Sequence, residues 1–107
     1  MSKLTDKTRR LVRNRANGLC ELCGRPGDDP HHRQITGMGG GGDHGAANIL
    51  YLDRACHDAV HASPGWAREQ GWLVSRWSDP RAVPVALRGR LVVFLDDDGN
   101  YLRKVAA

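Results

Sequence analysis

The sequence predicts a small α+β domain. Three observations carry this. A basic segment with helical apolar spacing opens the chain, short strand-like runs and a second helical segment follow, and a hairpin signal closes it. Cys20, Cys23 and Cys56 share one stretch of about forty residues with His31, His32, His57 and His61. At 107 residues, one domain over 1–107 is the expected organisation. Chains this short gain little from a hydrophobic core alone, and metal ions commonly supplement it.

Composition narrows the classes. The formal net charge is +4, compatible with a nucleic-acid partner. Three cysteines is an odd number, and the start Met1-Ser2-Lys3 carries no apolar run. Those features argue against a disulfide framework, a signal peptide or a membrane span, and for thiolates on metal in a reducing cytoplasm.

Residues 5–17 read as a helix, with Thr5 as cap, Asp6 at its positive end and Gly18 as terminator. Leu4, Leu11, Val12 and Ala16 give a narrow apolar stripe, while Lys3, Lys7, Arg9, Arg10, Arg13 and Arg15 make this the most basic part of the chain. Such a face is either solvated or phosphate-contacting. Cys20-x-x-Cys23-Gly24 has zinc-knuckle spacing, since two thiolates reach one ion and glycine permits the bend. A redox pair would want a helix next, and Pro26-Gly27 follows instead.

Residues 28–36 suit a short strand carrying the histidine pair. Residues 37–47 form a Gly-rich loop with no Gly-Lys-Ser/Thr to make it a P-loop. Asn48 to Leu52 is an apolar strand or buried connector. Asp53 to Ala62 reads as a helix that Asp53 can cap and Ser63-Pro64-Gly65 stops. Residues 63–107 read as scaffold: a helical turn or two from Trp66, a strand over Trp72–Trp77, and a hairpin over 89–102 with an Asp98-Gly99 turn. Trp66, Trp72 and Trp77 are expected to fill the core. Asp96 to Asp98 is expected to be turn chemistry rather than a metal cluster.

His57 and His61 are four residues apart and project from one helix face. With a third histidine they form a ligand set for a transition metal that leaves a coordination position open. His31 and His32 cannot face the same way in a regular strand. One is therefore expected on the metal and the other towards substrate.

With Cys20-x-x-Cys23, His31-His32-Arg33, Gly41-Gly42-Asp43, Asn48-Ile49-Leu50, Cys56-His57 and His61 in place, the stretch over 18–62 resembles the HNH endonucleases. These are hydrolases with the ββα-metal, or His-Me finger, fold. The paired histidines with His-x-x-x-His are similar to the colicin-type DNase version. The whole chain, including Gly71-Trp72-Leu73-Val74-Ser75, is similar to small HNH proteins of bacteriophages. The resemblance implies DNA phosphodiester hydrolysis, with His32 as general base, Asn48 bracing the loop, and His31, His57 and His61 on a catalytic Mg²⁺, Mn²⁺, Ni²⁺ or Zn²⁺. It also implies a structural zinc, DNA as partner and a possible link to phage terminase subunits. Arg9, Arg10, Arg13 and Arg33 are the expected DNA contacts. Oligomeric state, sequence specificity and cleavage mode are not legible.

One position departs from the family pattern. A second Cys-x-x-Cys is expected, and Asp53-Arg54-Ala55-Cys56 stands there. The fourth zinc ligand is then Asp53 or His44, or Asp53 is a plain helix cap. Two other readings compete: a non-catalytic zinc module binding DNA or protein, and a single finger of Cys20, Cys23, His57 and His61. The second leaves Cys56 and the histidine pair without roles.

Overall fold

The computed structural model describes residues 4–34, 44–88 and 91–105. Among them are three α-helices and two antiparallel sheets, an α+β arrangement. Lys3, the Gly41-Gly42-Asp43 part of the Gly-rich loop, and Gly89 and Arg90 lie outside the described residues.

Helix α1 (Asp6–Arg15) starts at Thr5, whose hydroxyl accepts from the Thr8 N–H at 3.1 Å. It ends as the Gly18 N–H returns to the Arg13 carbonyl at 3.0 Å. Its inward face is narrow: Val12 packs with Ala46 and Ile49. The knuckle follows, with Leu19 bridged to Pro26. Gly24 makes the turn at φ 82°, a conformation that side chains with a Cβ disfavour.

Strand β1 (Asp29–His32) pairs antiparallel with β2 (Ile49–Leu52), setting His31 opposite Leu50 and His32 opposite Ile49. Strand β2 is buried on both faces, which is why it reads as an unbroken apolar run. Leu50 and Leu52 enter the main core with Val60, Val85 and Leu95, and Ile49 faces α1. Each such side chain contributes about 1.5–3 kcal/mol on burial, so β2 is the centre of the fold. Helix α2 (Arg54–Ala62) begins immediately after it and carries His57 and His61. Helix α3 (Pro64–Glu69) follows and closes at Gly71, where φ is 79° and a Cβ would strike the Pro84 carbonyl.

The C-terminal sheet has the order β3 (Val85–Leu87), β4 (Leu91–Leu95), β5 (Tyr101–Leu102). The β4–β5 hairpin agrees with expectation, and its acidic run is turn chemistry. The Asp96 carboxylate accepts from the Asp98 and Asn100 N–H groups, and Asp97 pairs with Arg81 at 2.6 Å.

Two expectations are corrected. Trp72–Trp77 is no strand, because its backbone is used elsewhere: the Trp72 and Leu73 N–H groups close α3 on Ala67, and Val74 N–H donates to the Arg33 carbonyl. Of the tryptophans only Trp72 packs on the core; Trp66 is 51% exposed and Trp77 84% exposed. Among the described residues, no helix is long and apolar enough to cross a membrane.

Candidate metal centres

The knuckle and the start of α2 bring Cys20, Cys23, Cys56 and Asp53 together. One sulfur or oxygen from each lies within 4.8 Å of all the others. Asp53 has two roles at once. Its Oδ1 accepts from the Cys56 N–H at 2.7 Å, capping α2, while Oδ2 lies 2.9 Å from the Cys23 sulfur. The cap and ligand alternatives for Asp53 therefore do not exclude each other. His44 takes no part in this cluster; it lies against His32.

The thiols differ in character. Burial acts to raise Cys20, but the N–H groups of Asp53, Cys23 and Leu22 outweigh it and hold the thiol below its ordinary value. Burial and the Asp53 carboxylate push Cys23 up, and burial, Asp53 and the other two sulfurs push Cys56 far up. Three thiols crowded beside a carboxylate cannot all ionise unaided. A divalent cation relieves that repulsion, and three sulfurs with one oxygen make a four-coordinate set suited to zinc.

The second cluster is His31, His57 and His61, with one ring nitrogen of each within 4.8 Å of the others. The Nε2 atoms of His57 and His61 are 3.2 Å apart. Two imidazoles on one tetrahedral ion at 2.0–2.1 Å would stand about 3.3 Å apart. The three rings are steeply inclined to one another, at 68° to 78°. His31 is buried and its Nε2 lies 3.0 Å from the Trp72 carbonyl, which fixes the proton there and leaves the lone pair on Nδ1. Burial, reinforced by His57 and His61, lowers its pKa to about 4, so it is neutral at pH 7. His57 is half-buried and His61 exposed, so the cluster opens towards solvent on the helix side.

His32 points away from this cluster, as strand alternation requires. Its Nε2 lies 3.1 Å from His44 Nδ1, a partner that sequence reasoning did not assign to it. The only available signal was that His44 follows the Gly-Gly-Asp segment. Asn48 is fully buried, and its Oδ1 accepts from the Gln34 N–H at 2.8 Å. The Arg33 N–H donates to the Asn48 carbonyl at 2.7 Å. Asn48 thus grips the backbone immediately after His32.

Of the expected DNA contacts, Arg9, Arg10 and Arg13 are exposed on α1. Arg33 is not available to phosphate and is corrected to a structural residue. It is fully buried, and its guanidinium donates to the carbonyls of Gly71, Ala47, Pro80 and Val83. Four of its five N–H groups are used. Burial lowers its pKa to about 10, which still leaves it charged. Arg15 also turns inward: it makes a two-pronged bond to buried Glu21, which accepts in addition from Tyr101 at 2.6 Å. Both arginines join the N-terminal half to the C-terminal sheet or its approaches. Compared with family models, curated proteins and solved structures, the chain returns no match.

Proposed function

We propose that the chain is a metal-dependent endonuclease of the HNH type, hydrolysing DNA phosphodiester bonds. The observation that carries the reading is the division of one strand. His31 joins His57 and His61 on one side of β1, and His32 stands on the other beside the Asn48 clamp. Two antiparallel strands followed by a helix bearing two of the three histidines agree with a ββα-metal core.

His31, His57 and His61 hold the catalytic ion, which can be Mg²⁺, Mn²⁺, Ni²⁺ or Zn²⁺. When bound, such an ion supplies positive charge at the scissile phosphate and the leaving 3′ oxygen. His32 accepts the proton of the attacking water, a task suited to an imidazole near neutral pH. His44 shares a hydrogen bond with His32 and restricts its ring. Asn48 fixes the backbone that aims His32. Cys20, Cys23, Cys56 and Asp53 hold a structural zinc at the start of α2, one residue from His57, so loss of that zinc misplaces His57. Arg9, Arg10 and Arg13 supply salt-dependent phosphate contacts. Three free thiols suit a reducing cytoplasm, and the phage setting and terminase link follow from the resemblance alone.

The test is nicking of supercoiled plasmid by zinc-loaded protein with each of the four ions added in turn. At least one ion is expected to support relaxation, and His57→Ala is expected to abolish it. No nicking with any ion would favour the non-catalytic zinc module instead.

A further inference from the structure

Among the described residues, Trp77 is the most exposed of the large apolar side chains, at 84%. A lone exposed tryptophan is unremarkable, but this one is set in a defined surround. The Arg76 guanidinium lies over its ring, 4.8 Å from the centroid, and the exposure leaves most of the indole accessible. Arg68, Leu73, Val74 and Ser75 line a concavity beside it. Arg68 and Arg76 are exposed, and among the described residues neither is held in a salt bridge.

The loop that carries Trp77 is tied to the candidate active site. The Gln34 side-chain amide donates to the Ser75 carbonyl at 2.8 Å and to the Ser78 carbonyl at 2.7 Å, bracketing Arg76 and Trp77. The Val74 N–H donates to the Arg33 carbonyl at 2.8 Å. Gln34 is two residues from His32, a span of at most about 7 Å. An exposed aromatic side chain that shares a concavity with two exposed arginines, on a loop bonded to the residue two after His32, matches the chemistry of a nucleobase with its phosphates.

We propose that Trp77, flanked by Arg68 and Arg76, is a stacking platform for an unpaired base of the substrate strand next to the cleavage site. The proposal rests on the nuclease reading for the identity of that strand. A base inside a duplex has both faces covered by its neighbours, so the platform selects frayed, bulged or single-stranded DNA. The loop is then a specificity element, and Arg9, Arg10 and Arg13 on α1 supply duplex contacts that do not distinguish sequence.

The test is fluorescence anisotropy on full-length, zinc-loaded protein carrying His32→Ala, so that nothing is cut. The probes are a labelled oligo-dT of about 12 nucleotides and a labelled hairpin duplex. Trp77→Ala and Trp77→Leu are expected to weaken oligo-dT binding roughly tenfold, and Trp77→Phe to retain most of it. Duplex binding is expected to change less than about twofold. Because Trp77 is exposed, these variants fold. Failure of the parent to bind oligo-dT, or equal binding by the alanine and leucine variants, overturns the proposal. So does a loss of self-association in Trp77→Ala without loss of DNA affinity. Plasmid nicking with His32 intact is read separately. Trp77-dependent binding without nicking leaves the platform standing and removes the nuclease reading; nicking without Trp77-dependent binding does the reverse.

Discussion

Replacing Arg33 with methionine separates a structural arginine from a DNA contact. Methionine keeps most of the length of the apolar stem but donates nothing, so the carbonyls of Gly71, Ala47, Pro80 and Val83 each lose a donor. A buried acceptor left without a partner costs about 1–3 kcal/mol. Taking the low end for four carbonyls, and allowing for the guanidinium no longer being buried, the loss is about 3–4 kcal/mol. For a domain of about 100 residues, 1 kcal/mol moves Tm by about 4–8 °C. Thermal unfolding by circular dichroism is therefore expected to show a fall on the order of 15–25 °C. At temperatures where the variant is folded, the slope of log K for DNA against log salt is expected to be unchanged. A phosphate contact would give the opposite pattern: Tm nearly constant and the slope reduced by about 0.9. That result would refute the burial reasoning.

Other consequences concern the two metal clusters and the clamp between them. Asp53→Cys is expected to slow zinc loss to a chelator and Asp53→Ala to speed it, at a cost of about 1 kcal/mol in either case for the lost cap; equal rates in all three proteins would remove Asp53 from the ligand set. Asn48→Ala is expected to lower stability by about 1–3 kcal/mol and slow nicking without changing the zinc count, measured by melting, plasmid assay and elemental analysis. In protein without an ion at the histidine cluster, His31 stays neutral when folded, while the unfolded chain takes up the proton. Its stability contribution is complete above pH 6.5 and falls as pH drops towards 4, by on the order of 3 kcal/mol in total. Urea melts at pH 7 and pH 4.5 are expected to show a smaller acid loss in His31→Leu than in wild type, and an equal loss would contradict it.

Features set by short-range chemistry were legible in the sequence. Thr5 and Asp53 cap their helices by local hydrogen bonds, His57 and His61 share a face by helical period, and His31 and His32 divide by strand alternation. The hairpin turn is likewise local, since Asp96 binds groups two and four residues ahead. What was misread depends on partners distant in the chain. An arginine donates equally well to phosphate or to carbonyls, and nothing near Arg33 announces acceptors 14 to 50 residues away. The segment after Trp72 has strand composition, yet its N–H groups are claimed by Ala67 and Arg33. Strand β3, which was not among the expected elements, forms directly after Pro84 because Val85 has Val93 to pair with.

The proposed role of His32 as general base is tested most directly by chemical rescue. Single-turnover nicking by His32→Ala, at saturating divalent ion, is expected to be slower than wild type by about 10²–10⁴. Added imidazole is expected to restore part of the rate if the missing group is the proposed proton acceptor, since the candidate metal ligands remain. His31→Ala is not expected to be rescued in this way, since its loss is on the ion. Cutting by His32→Ala at the wild-type rate, with the same metal dependence, would contradict the assignment.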